Sequence, residues 1–154
     1  MDLKLRNSAL ATLFFASFFA QPVYGEEIIA QSSGEHLDNA EVVERESPAN
    51  FVGSYYGNIN YEKYETAWEM LSLSLQRDGL RHPQGYTSYL NWWQTVKLVE
   101  GDVTLRETNT NSAIVDAKIK YVMKSGREVP SLVRVYLLWD SQKNNWQIDN
   151  TVSL

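Results

Sequence analysis

Apolar residues recur every three or four positions from Phe51 to Val96 and alternate every second position from Ala113 onward, so helices are expected to precede an antiparallel sheet. Ser47 and Pro48 supply a helix start, followed by Phe51, Val52, Tyr55, Tyr56 and Ile59 at helical spacing. Asn60 is placed to cap a second helix whose stripe is Tyr61, Tyr64, Trp68, Leu71 and Leu75. Gly79 and Pro83 break the pattern, and a third helix then puts Tyr86, Tyr89, Leu90 and Trp93 on one face with Trp92 off it. Strands begin near Val96. The plainest runs from Ala113 to Met123, where apolar residues alternate with Asp116, Lys118 and Lys120, as in a strand with one buried and one wet face. A turn over residues 124 to 127 leads into Leu132 to Trp139, apolar on both faces except for Arg134, and Trp146 and Ile148 mark a last strand. The expected fold is α+β, with three N-terminal helices packed into a curved antiparallel four-stranded sheet.

Charge divides the chain differently. Residues 26 to 48 hold seven acids and one Arg, whereas residues 49 to 154 hold eleven acids and eleven bases. The first segment reads as an acidic flexible tether, residues 26 to 48, and residues 49 to 154 as one domain. A domain without basic excess is not expected to bind nucleic acid. The first 25 residues carry Lys4 and Arg6, an apolar run from Ala9 to Ala20, and Val23 and Gly25 at small-residue positions, which is the pattern of a signal peptide cut after Gly25. Export to the periplasm or the extracellular space is expected, with no stable membrane span after cleavage; a retained N-terminal anchor is the alternative. The chain has no Cys, so neither a disulfide nor a lipid-bearing cysteine is available.

Several residues mark a family. Tyr61, Tyr64, Ala67, Trp68, Leu71 and Ser72, then Gly85, Tyr86, Tyr89, Trp92 and Trp93, then Trp146, Gln147 and Ile148 resemble the nuclear transport factor two-like superfamily, also called the cystatin-like α+β cone. They resemble in particular the version appended to cyanobacterial serine/threonine kinases and other envelope proteins. The resemblance covers about residues 49 to 152 and implies a sheet wrapped around the helices, a tapering cavity, and frequent pairing of domains through the sheet. It does not imply an activity, because the fold carries isomerases, dehydratases, cyclases, transport adaptors and purely associative domains.

The candidate chemistry is sparse. Asp116 and Asp149 lie opposite the apolar sets of their strands and so read as outward-facing rather than catalytic. His36, in the tether beside Glu35, lacks the companions of a metal site. Arg77, Arg81 and His82 form a basic cluster that would greet a carboxylate or phosphate at the cavity mouth, or else a solvated loop. Trp92 lies off its stripe and needs a use at the cavity mouth, the sheet edge or a partner surface. Arg134 and Tyr136 lie on the second apolar face of their strand, which favours association.

These residues lead to an expected non-catalytic binding or protein-interaction domain with no catalytic residue, metal or cofactor. A small apolar ligand in the cone, and a homodimer or an envelope protein on the sheet, are the expected partners. The alternative is a small-molecule enzyme of the isomerase, dehydratase or cyclase type.

Overall fold

The computed structural model describes residues 45–154, so the expected signal segment, His36 and nearly all of the tether lie outside the described residues. Helix α1 (Pro48–Asn60) starts with Pro48 in its first turn and buries Phe51, Val52, Tyr55, Tyr56 and Ile59, the i, i+4, i+8 face that the spacing predicts. The expected second helix is broken in two: α2 (Tyr64–Glu69) and α3 (Leu73–Gln76), followed by α4 (Tyr86–Trp93). Between the two pieces, Ser72 turns extended; its Oγ accepts from Leu75 N at 3.1 Å and donates to Asp149 Oδ1 at 2.7 Å.

This break attaches the helices to the sheet. Ile148 N donates to Met70 O at 2.9 Å and Ser72 N donates to Ile148 O at 2.8 Å, so residues 70 to 72 cover part of one sheet edge. Asn60 does the same at the opposite edge, where its side chain donates to Val99 O at 2.8 Å and accepts from Val99 N at 2.7 Å. Asn60 therefore does not cap the second helix, which starts after Lys63. Tyr61 does not join the core stripe either: it follows the end of α1, precedes Glu62 at a φ of 58°, and is 78% exposed.

Four strands, β1 (Val96–Thr108), β2 (Ser112–Met123), β3 (Glu128–Asp140) and β4 (Asn145–Ser153), pair antiparallel in sequence order. Register shifts after Val96, Leu105 and Tyr136 interrupt the ladders, the kind of irregularity at which a strand bends locally. Its inner face buries Val99, Val115, Ala117, Ile119, Val133, Val135, Leu137 and Ile148 against α1 and the other helices. Trp93 belongs to this core, while Trp68 is half-buried and packs against its margin.

The outer face is mixed. Leu132 and Leu138 are 40% and 46% exposed there, and Tyr136 is half-buried between Ile114 and Asn150. Asp116 and Arg134 stand directly opposite each other in neighbouring strands and form a bidentate pair at 2.8 and 3.0 Å, with Arg106 at 3.2 Å on the second carboxylate oxygen. Lys120 bridges Glu100 and Glu128 at 3.1 and 3.2 Å. At the start of the described chain the Arg45 guanidinium lies 4.2 Å above the Trp139 ring and Trp146 Nε1 donates to Glu46 O, which fastens the entry to α1 onto the β3–β4 hairpin.

Candidate functional site

Between α1, α4, the loop over residues 77 to 85 and the inner face of the sheet lies a cavity of about 570 Å³, within the size range of small-molecule sites. Leu71, Leu75, Val133 and Ile148 give it an aliphatic side, and Tyr55, Tyr56, Tyr89, Tyr121, Trp92 and Trp93 an aromatic one. Leu80, 97% exposed, and Trp92, 47% exposed, carry the cavity to the surface. The aromatic side is built from steeply inclined ring contacts: Trp92 meets Trp93 at 4.4 Å and Tyr121 at 5.5 Å between centroids, and Tyr55 meets Trp93 at 6.0 Å. Such edge-to-face contacts hold the rings against one another and fix the wall.

The phenols supply the polar groups. The Tyr89 and Tyr55 hydroxyls share one hydrogen bond of 3.2 Å. Burial raises the Tyr55, Tyr56, Tyr89 and Tyr121 phenols above the ordinary value of 10.0, and neighbouring phenols add to the rise at Tyr55 and Tyr56. All four act as neutral hydroxyls in the physiological range, as phenols ordinarily do, and burial extends that range upward. Burial also lowers His82 below the ordinary imidazole value of 6.5, opposed by Asp78 and assisted by Arg81. Its ring lies 5.1 Å from Trp68 and 5.7 Å from Tyr89, and its buried Nδ1 has no hydrogen-bond partner among the described residues. No Asp or Glu lines the cavity.

The sequence-predicted residues fall in three places. Trp92, Arg81 and His82 lie on the cavity wall. Arg77, the C-cap of α3, is exposed and does not line it. Arg134 and Tyr136 lie on the outer face of β3, away from the cavity and within the apolar and ionic patch described above. Arg81 is already engaged, donating from Nη2 to Thr151 O at 3.0 Å and pairing with Asp78 at 3.6 Å. Asp116 and Asp149 are held by Arg134 and Ser72 respectively and do not reach the cavity. Among the described residues no group of three His, Cys, Asp or Glu side chains is arranged to hold a metal ion.

Tyr55, Tyr56, Tyr89 and Tyr121 read as ordinary packing in the sequence. The signal that separates them is chemical: tyrosine at positions where phenylalanine would pack equally well leaves a hydroxyl that needs a partner.

No family model matches the chain. Over 110 residues, 70% of its length, it is 42% identical to the serine/threonine-protein kinase PknA of Nostoc sp. (strain PCC 7120 / SAG 25.82 / UTEX 2576). The chain spans 20% of the length of that kinase, which fits a segment appended to a kinase. In shape it is similar to Bd1075 of Bdellovibrio bacteriovorus, with 12% identity, a TM-score of 0.48, and coverage of 68% of this chain and 37% of that one.

Proposed function

We propose that the protein is an exported, non-catalytic binding domain of the nuclear transport factor two-like type, and that the aromatic cavity is its small-ligand site. The single observation that supports this most is the lining: four phenols, two indoles and an aliphatic floor, with no carboxylate. The enzyme alternative needs a base or acid aimed at the reacting atoms. It would rest on His82 and the phenols, since no Asp or Glu lines the cavity. Export rests on the N-terminal charge and hydropathy pattern alone.

Titration of the full chain with the uncharged fluorophore N-phenyl-1-naphthylamine tests the cavity reading. Saturable enhancement of its emission is expected. Thr151→Trp, which fills the cavity from β4, should weaken binding at least about tenfold, the factor that accompanies loss of about 1.4 kcal/mol. Leu132→Ala on the outer face should leave it unchanged. Equal binding by the wild type and Thr151→Trp would remove the cavity as the site.

A further inference from the structure

The sheet has two edges, and the fold covers them unequally. On β4, Ile148 N and O are bonded to residues 70 to 72, and Thr151 O accepts from Arg81. On β1 a single rung is filled, by the Asn60 side chain on Val99 N and O at 2.7 and 2.8 Å. Those two bonds also set the phase of the strand. In an antiparallel ladder the N–H and C=O of one residue point to the same side and alternate along the chain, so where Val99 faces away from β2, Gly101, Val103 and Leu105 do too. No group among the described residues bonds to the outward N–H or C=O of those three. Past Val99 the strand is exposed, apart from the half-buried Val103. An exposed edge of this kind is a template for a further strand.

Its surroundings say what that strand would be. On the inner side α1 runs beside β1 in the opposite direction, with Asn60 at Val99 and Gly53 at Val103, where a Cβ on Gly53 would lie 3.9 Å from Val103 Cγ2. Gly57 lies one helical turn from Gly53 on the same face, and a Cβ there would meet nothing within 4 Å. Glycine inside a helix is destabilising, and here the two leave room beside the open rungs for the alternate side chains of an added strand. On the outer side, residues 100 to 107 carry Glu100, Asp102 and Glu107 against one base, Arg106. Arg106 is bound to Asp116, Glu100 shares Lys120 with Glu128, and Asp102 and Glu107 have no ion-pair partner among the described residues. An acidic strand would be repelled by this row and a basic one attracted. A second copy of β1 would bring the same surplus of acid.

We propose that the β1 edge binds an extended basic segment of another protein by adding it to the sheet. Its backbone would take the open rungs of Gly101, Val103 and Leu105, its apolar residues the space beside Gly53 and Gly57, and its alternate Lys or Arg residues the carboxylates of the outer row. This surface is separate from the aromatic cavity, and the proposal stands whether or not the cavity holds a ligand.

The test uses two pentapeptides, acetyl-Val-Lys-Val-Lys-Val-amide and acetyl-Val-Glu-Val-Glu-Val-amide, titrated into the isotope-labelled full chain and followed by backbone amide NMR. The basic peptide should move the signals of Gly101, Val103 and Leu105 and bind at least about fivefold more tightly than the acidic one, an advantage that shrinks at high salt. Val103→Pro removes an outward N–H without touching the ladder to β2, and Gly57→Leu fills the room beside the edge. Each should weaken the basic peptide at least about fivefold. The basic peptide with every backbone amide N-methylated keeps its charge and side chains, requires no change in the protein, and should not bind. Absence of shifts at the three amides, equal binding by the acidic peptide, or undiminished binding by the methylated one would overturn the proposal. Exchange protection of those amides that grows with protein concentration alone would overturn it too, because it would give the edge to a second copy.

Discussion

At the scale of single residues, polar atoms inside the fold set its sensitivities. Gly101 has a φ of 146°, and a Cβ there would lie 2.1 Å from Lys118 O, so β1 and β2 approach as they do because this residue has no side chain. His82 is the titratable counterpart. Burial disfavours its charged form, so the unfolded chain binds the proton more readily than the folded one. This group's contribution to stability is complete above the ordinary imidazole value of 6.5 and is lost as pH falls from there through the lower folded value. The groups around the ring are Asp78 and Arg81 on its own loop, Trp68 of α2 and Tyr89 of α4. Denaturant unfolding at pH 7 and pH 5 should show the midpoint falling further in the wild type than in His82→Phe. Equal falls in the two proteins would mean that the imidazole is not desolvated.

At the scale of elements, Ser72 joins the helices to the sheet. It caps the one-turn helix α3, donates to Asp149, and sits where the chain bonds on both sides of Ile148. Helix α3 is too short to persist by propensity and depends on that anchorage. Ser72→Ala should lower stability by about 1 to 2 kcal/mol, the usual loss for removing an N-cap side chain with a buried hydrogen bond. The measurement is the unfolding free energy, and a change below about 0.5 kcal/mol would class Ser72 with surface positions. Because Leu71 and Leu75 line the cavity from either side of this residue, the variant should also weaken probe binding.

At the scale of the whole molecule, the outer sheet face is the surface we propose for pairing or partner capture. Leu132, Tyr136 and Leu138 supply its apolar part. The two ion clusters on this face differ in sign: Arg106, Asp116 and Arg134 leave a surplus positive charge, and Glu100, Lys120 and Glu128 a surplus negative one. A second copy related by a two-fold axis would bring unlike clusters together, the self-complementarity that an isologous interface requires. Sedimentation of the full chain should show a weak dimer that Tyr136→Glu dissociates and that loosens at high salt. A monomer at every practical concentration, with unchanged partner capture in the variant, would remove this surface.

The sequence by itself determined that helices precede four antiparallel strands and which face of β2 is buried, because hydrophobic period is a local property that burial on one side imposes on a strand, whereas β3, apolar on both faces, took its inward face from the tertiary structure. Arg134 stood out in the sequence as the charge interrupting an apolar strand, and the register put Asp116 directly opposite it. The break after Met70 escaped it. Tyr64, Trp68, Leu71 and Leu75 keep helical spacing, and the alternative partner that ends the helix is the backbone of Ile148, some 77 residues away. Asn60 likewise carried a cap's identity and was taken by Val99 across the fold. The cavity wall was hidden for the same reason. Spacing explains why Tyr55, Tyr56, Tyr89 and Tyr121 are buried, but only the tertiary structure decides whether a buried ring faces another ring or an open space, and so whether its hydroxyl is spent on the protein or left for a ligand.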